Sequence, residues 1–420
     1  PRARSARRLR APVEPDSWGR TVPETPPVLT TRAELVALAD RVRSAGRVAL
    51  DTEFVWERTY RPTLGVVQVA IDRECAILDA TALSDLSPLF PVLRDPAIPV
   101  VLHGGGQDLE ILALLMGEPM RAVVDTQVEA AFLGYGLQVG LSVLLERVLK
   151  VRIRKDQTYT DWTRRPLKPE QLAYARADVM HLLALHDRLR ADLERRGRLA
   201  WVEEELKRLE DGARYQAMSD DERFRTVKGW QRLDAEELAV LRELAAWRER
   251  AARRANIRPN FLANDVVLVT LASRSLEDVE ELRGVRGLSA GTVDRHGRHI
   301  VAAIRAGREC PPERWPAPPE RVRRQAPPSG LVALLRAAVQ AVADRDELAS
   351  EVIASARDLD ALVARATAKV GGESDQGEPA LLQGWRRRLV GDTLLSIARG
   401  ELAMRYDPAR REVVGEPPRR

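Results

Sequence analysis

Cysteine is scarce: Cys75 and Cys310 are the only two among 420 residues. Two isolated thiols build neither a disulfide framework nor a thiolate zinc site. Long apolar runs are missing as well. No stretch of about 18 apolar residues occurs, so no transmembrane helix and no membrane partner are expected. The first 26 residues are rich in Arg and Pro and lack an apolar core segment, which excludes a secretory signal and reads as a disordered arm. The expected location is the cytoplasm and the default state a monomer. Neither charge sign dominates: 67 Lys+Arg stand against 62 Asp+Glu, a net of +5, so basic patches must coexist with acidic sites. Phosphate-binding fingerprints are absent too. Gly104-Gly105-Gly106 lies between a strand and a helix pattern, but Leu109 stands where a dinucleotide fingerprint needs glycine. No Gly-Lys-Ser/Thr follows either, so the chain carries no motor of its own.

What the sequence does have is a set of acids in particular settings. Arg47-Val-Ala-Leu-Asp51-Thr-Glu53-Phe54 reads as a buried strand ending in two carboxylates. Residues i and i+2 of a strand share a face, so Asp51 and Glu53 stand side by side. Such crowding is costly unless a cation lies between them, and carboxylates suit Mg2+ or Mn2+. Val100-Val-Leu-His103-Gly-Gly-Gly-Gln-Asp108 reads as strand, glycine turn and helix start, with Asp108 in the first helical turn. Tyr174-Ala-Arg-Ala-Asp178 lies in a helical pattern from about Pro169 to Arg195, and its i, i+4 spacing puts Tyr174 and Asp178 on one face.

Asp-x-Glu on a strand, Asp opening a helix and Tyr-x-x-x-Asp on a later helix, in that order, resembles the DEDDy 3′–5′ exonucleases. The polar segment Lys155-Asp156-Gln157-Thr158-Tyr159-Thr160-Asp161-Trp162 before the last motif narrows the resemblance to the ribonuclease D family. The triple glycine departs from the alanines or serines common in that turn and puts the firmness of Asp108 in question. The resemblance implies an α/β RNase H-like 3′–5′ exonuclease domain, a mixed sheet of about five strands with flanking helices. The pattern by itself gives α/β with antiparallel neighbours around Asp72-Arg73, helices at Thr31–Ser44, Leu83–Arg94 and Gln107–Leu115, and short strands at Pro99–His103 and Ala122–Asp125. Asp125 has two readings, a neighbour of the site or a helix N-cap.

The remainder is helical. Ala235–Ala255 ends in Arg248, Arg250, Arg253 and Arg254, and Leu282-Arg-Gly284-Val-Arg-Gly287 precedes a last helix near Arg295–Ala306. This resembles the HRDC domain, a small nucleic-acid-binding module, with the glycine turn and arginines as phosphate contacts. His296 and His299 read as structural. Glu309–Pro328 holds seven prolines and reads as a stiff linker. Gln383-Gly-Trp385-Arg-Arg-Arg-Leu-Val-Gly391 resembles a second HRDC-like unit. The expected layout is an arm at 1–26, the exonuclease domain at 27–212, and all-α HRDC-like domains at 213–308 and 329–406. A linker at 309–328 joins them, and a disordered tail occupies 407–420.

The resemblance also implies chemistry: hydrolysis of RNA from its 3′ end, above all of tRNA precursors, releasing nucleoside 5′-monophosphates. It assigns Asp51, Glu53, Asp108, Tyr174 and Asp178 as catalytic. The four acids hold two Mg2+ or Mn2+ ions, and Tyr174 orients the attacking water, since an unperturbed phenol with pKa about 10 is a poor base. His103, Lys155, Arg253 and Arg254 are candidate RNA contacts, with a hydrogen-bonded structural role as the other reading of His103. Three rivals stay open at this stage: a DEDD-type DNA exonuclease, a noncatalytic RNA-binding protein, and a helicase accessory whose motor would come from a partner.

Overall fold

The computed structural model describes residues 25–56, 59–72, 74–153, 160–216, 218–319, 327–367, 377–409 and 412–416. In chain order the first part runs β1 Val28–Leu29, α1 Arg32–Ala45, β2 Val48–Val55, β3 Thr63–Ile71, β4 Glu74–Asp79, α2 Phe90–Leu93, β5 Val100–Leu102, α3 Gly106–Met116 and β6 Val123–Asp125. Helices α4 Thr126–Ala131, α5 Leu141–Leu149, α6 Pro169–Met180, α7 Leu182–Arg195 and α8 Leu199–Lys207 follow. The strands form one sheet in the order β1-β4-β3-β2-β5-β6. Strands β2, β3 and β4 are antiparallel neighbours, while β1, β5 and β6 pair in parallel, giving the mixed sheet the sequence predicts with the two-residue β1 added at an edge.

Alternation along the strands divides the core in two. Leu50, Val67, Val69, Leu78 and Val100 face α1 and α3, with Leu35, Leu38, Leu109 and Leu112 against them. Ala49, Val66, Ala70, Ile77 and Val101 face the other way, under Ala175, Val179 and Leu185 of α6 and α7. Helix α1 starts in a capping box, Thr31 with Glu34, and stops at Gly46 in the left-handed region (φ 73°). Two predicted helices differ. Leu83–Arg94 yields only a 3-10 turn and the four-residue α2, because Pro88 and Pro91 limit the run. The long Pro169–Arg195 pattern is cut at His181 into α6 and α7.

The first all-helical unit holds α9 Ala235–Ala255, α10 Pro259–Leu262, α11 Asp265–Ala272, α12 Val279–Leu282 and α13 Ala290–Arg308. Its core joins Leu241 and Leu244 to Leu268, Ile300 and Ile304. The second holds α14 Ser329–Arg345, α15 Ser350–Ile353, α16 Ala356–Thr367, α17 Gly384–Arg386 and α18 Asp392–Ala398. A π turn, Arg387–Gly391, joins α17 to α18. Part of the segment expected as a disordered tail is ordered: β7 Ala403–Asp407 and β8 Glu412–Glu416 pair as an antiparallel hairpin. Val413 lies opposite Tyr406 and Val414 opposite Arg405, so β-forming residues supply the pairing there.

Both helical units are docked on the α/β domain. The Trp385 ring is wholly buried, stacked on Trp201 at 5.4 Å and edge-on to Phe132 at 5.0 Å. Its Nε1 donates to Glu205 at 3.0 Å. Arg198 donates to the carbonyls of Phe132 (2.8 Å) and Asp346. On the other side, Tyr60 in the β2–β3 connection donates its hydroxyl to Glu249 of α9 at 2.8 Å.

Candidate active site

Strand β2 and helix α6 bring three acids together. Asp51, Glu53 and Asp178 each offer a carboxylate oxygen within 4.8 Å of the others. The β2–β3 register shifts between Glu53 and Phe54, so a bulge bends the strand at the cluster. Burial raises the Asp51 carboxyl well above the usual range, and Asp108, Asp178 and Glu53 push it further. Burial, then Asp178 and Asp108, push Glu53 up to about 8. Converging oxygen donors that repel one another without a cation are what a divalent ion requires, so the residues present fit a metal group.

The fourth acid approaches from the sheet end. Asp108 lies in the first turn of α3 and is buried, which raises its proton affinity despite the hydroxyl hydrogen bond from Thr52. Thr52 sits between Asp51 and Glu53 but projects to the opposite face, where Asp108 arrives. The glycine turn before α3 is not loose. Asp125 accepts from the amides of Gly104 (2.9 Å), Gly105 (3.2 Å) and Gln127 (2.8 Å). It is both the N-cap of α4 and the clasp that fixes the turn carrying Asp108. Gly104 has φ +64°, and a Cβ on Gly105 would meet Leu102 at 2.9 Å, so two of the three glycines answer geometric demands.

Tyr174 sits one turn before Asp178 on α6, its ring 6.0 Å from that of Trp162. Trp162 is buried and held by a clamp that sequence reasoning missed. Arg165 donates to the Trp162 carbonyl (2.8 Å), the Gly65 carbonyl (3.0 Å) and both oxygens of Asp79, one of them at 2.6 Å. Burial opposes ionisation of Asp79, but Arg165 and Thr81 outweigh it and hold the carboxyl down at about 2. Gly65 allows the close approach: a Cβ there would lie 2.5 Å from the Trp162 carbonyl oxygen.

Of the expected RNA contacts, His103 and Arg253 make contacts within the protein. The His103 ring spends Nδ1 on Thr126 Oγ1 and Nε2 on the Val139 carbonyl, both at 2.9 Å, which ties β5 to α4. Arg253 lies over the Tyr60 ring at 5.6 Å and pairs with Asp220 at 3.1 Å, so it joins the helical unit to the β2–β3 connection. Arg248, grouped with it in the sequence, is buried on Asp265 (2.8 Å) and is part of the helical core. Arg254 is exposed. Lys155 lies outside the described residues.

Residues 26–194 match the family described as 3′–5′ exonuclease, and with the acid cluster on this sheet they place the chain among the metal-dependent exonucleases of the DEDD type. Residues 237–304 match the HRDC domain, and 330–394 match the C-terminal HRDC domain of ribonuclease D. Ribonuclease D of Acidiphilium cryptum is 37% identical over 399 residues, covering 93% of this chain and 98% of its own. The Escherichia coli K12 protein of that name is 31% identical over 367 residues, covering 87% and 96%. The crystal structure of Escherichia coli RNase D, described as an exoribonuclease involved in structured RNA processing, superposes with a TM-score of 0.79 at 30% identity, covering 89% of this chain and 98% of that one. The chain belongs to the ribonuclease D family and is a 3′–5′ exoribonuclease with two HRDC domains. No helix among the described residues is long and apolar enough to cross a membrane.

Proposed function

We propose that this exoribonuclease trims 3′ extensions of tRNA precursors and other small structured RNAs, releasing nucleoside 5′-monophosphates. The observation that carries the reading is the convergence of Asp51, Glu53 and Asp178 within 4.8 Å. These three, with Asp108 beside them, are the residues that would hold two Mg2+ or Mn2+ ions. Such ions supply a nucleophilic water at neutral pH and a sink for the charge developing on the leaving 3′ oxygen.

The chain's own residues do the positioning. Asp51 and Glu53 are fixed by the strand. Asp108 is fixed by Thr52 and by the Asp125 clasp on its turn. Tyr174, packed on Trp162, orients the attacking water with its hydroxyl. Catalysis of this kind is alignment and charge stabilisation by preset groups. The protein acts as a monomer in the cytoplasm, and its HRDC domains hold the RNA body while the single-stranded 3′ end enters the site.

Matched RNA and DNA oligonucleotides incubated with Mg2+, with products separated by chromatography, test the reading. Nucleoside 5′-monophosphates released from RNA at the higher rate are expected. Preferential DNA cleavage, or products with 3′ phosphates, would contradict it.

A further inference from the structure

Gln68 is a polar residue buried in the sheet that carries Asp51 and Glu53. It lies in the middle of β3 with no solvent exposure, and neither its Oε1 nor its Nε2 has a hydrogen-bond partner among the described residues. Its neighbours on the same face of β3 are Val66 and Ala70, both core residues, and Ile77 flanks it on β4. An apolar side chain of similar volume would fill this place without burying an unbonded amide, so packing alone does not account for glutamine.

The register supplies a reason. Gln68 is the direct cross-strand partner of Asp51. Directly opposed residues of an antiparallel pair have Cβ atoms about 4.5–5.5 Å apart and share a face, so rotation of the two side chains alone can bring the Gln68 amide to the Asp51 carboxylate. Helix α6, which carries Tyr174 and Asp178, covers the same face. We propose that Gln68 is a positioning residue: when a divalent cation binds, its amide N–H, unbonded in this structure, turns to donate to the Asp51 carboxylate and sets the orientation in which that carboxylate holds the cation. The proposal rests on Asp51 being a metal ligand. Outer partners of this type fix ligand geometry, and removing one typically weakens metal binding by about 10–100-fold.

The test uses the full chain, freed of metal with EDTA and dialysed, as wild type, Gln68→Met, Gln68→Leu and Asp51→Asn. Mn2+ affinity is measured by calorimetry at a temperature where each variant is folded, and Tm is measured in EDTA. The expected result is Mn2+ binding about 10–100-fold weaker in both Gln68 variants, with Tm in EDTA equal to or above that of wild type. Exonuclease kcat falls more than KM rises. Mn2+ affinity within threefold of wild type in both, while Asp51→Asn abolishes binding, overturns the Gln68 role and leaves the metal site standing. Wild-type binding that Asp51→Asn does not change overturns both.

Discussion

Carboxylates gathered in one desolvated place raise one another's proton affinity, and the sign of the consequence is set. Asp51, Glu53 and Asp108 have folded-state values above those of an unfolded chain, Glu53 at about 8. Between about pH 4 and 8 the folded protein without metal therefore binds more protons than the unfolded one, and stability declines as pH rises. Thermal melts in EDTA are expected to show Tm falling from pH 5 to pH 8.5, with Mg2+ restoring it at the alkaline end; a flat or rising Tm would contradict this. Thr52→Val takes the hydroxyl from Asp108 and is expected to cost about 1–2 kcal/mol in urea melts and to slow turnover about tenfold. Wild-type turnover in that variant would show Asp108 to be held by its turn alone. At this scale the five motif residues are legible in the sequence, because strand period and helix period each place two of them together. Thr52 and Gln68 are not, because their partners come from other elements: Asp108 from α3 and Asp51 across the β2–β3 register.

Among the elements, α6 is the one that has to be held still. It carries Tyr174 and Asp178, and its approach is set by the Arg165 clamp through Trp162. Asp79 keeps a depressed pKa of about 2, so the stability it contributes is present above about pH 4 and is lost as pH falls toward 2. Asp79→Ala leaves Arg165 without its carboxylate partner and is expected to cost about 2 kcal/mol, below the fully buried range because Arg165 keeps some solvent contact and its carbonyl partners. In the same variant kcat should drop while KM for RNA stays near wild type, since the loss falls on Tyr174. An unchanged kcat would separate the clamp from catalysis. The strands and most helices here follow from apolar period and capping. The break at His181 and the shortfall at Leu83–Arg94 do not; Pro88 and Pro91 decide the second.

Over the whole molecule, the second HRDC domain shares one apolar core with the exonuclease domain, and Trp385 joins the two through Phe132 and Trp201. Trp385→Ala removes a ring held between Phe132 and Trp201 and is expected to destabilise by about 3–5 kcal/mol in urea unfolding. A loss under about 1 kcal/mol would mean the domain does not stay docked. The order of domains is legible from composition and motif. Their docking is not, because the contacts join residues 180 apart in the chain, Trp385 with Glu205, and 189 apart, Tyr60 with Glu249. Arg253 illustrates the difference: in sequence it is one of a basic group, and in the structure it is committed to Tyr60 and Asp220.

The central claim is that the acid cluster trims RNA from its 3′ end with divalent metal. A gel time course on a 5′-labelled tRNA carrying a short 3′ extension tests it most directly, run with Mg2+ and with EDTA, for wild type and Asp178→Asn. The account predicts a Mg2+-dependent ladder that shortens from the 3′ end and slows at the mature terminus, with Asp178→Asn slower by on the order of 10³-fold. Cleavage that persists in EDTA or in Asp178→Asn, or a mobility shift with no shortening, would contradict it.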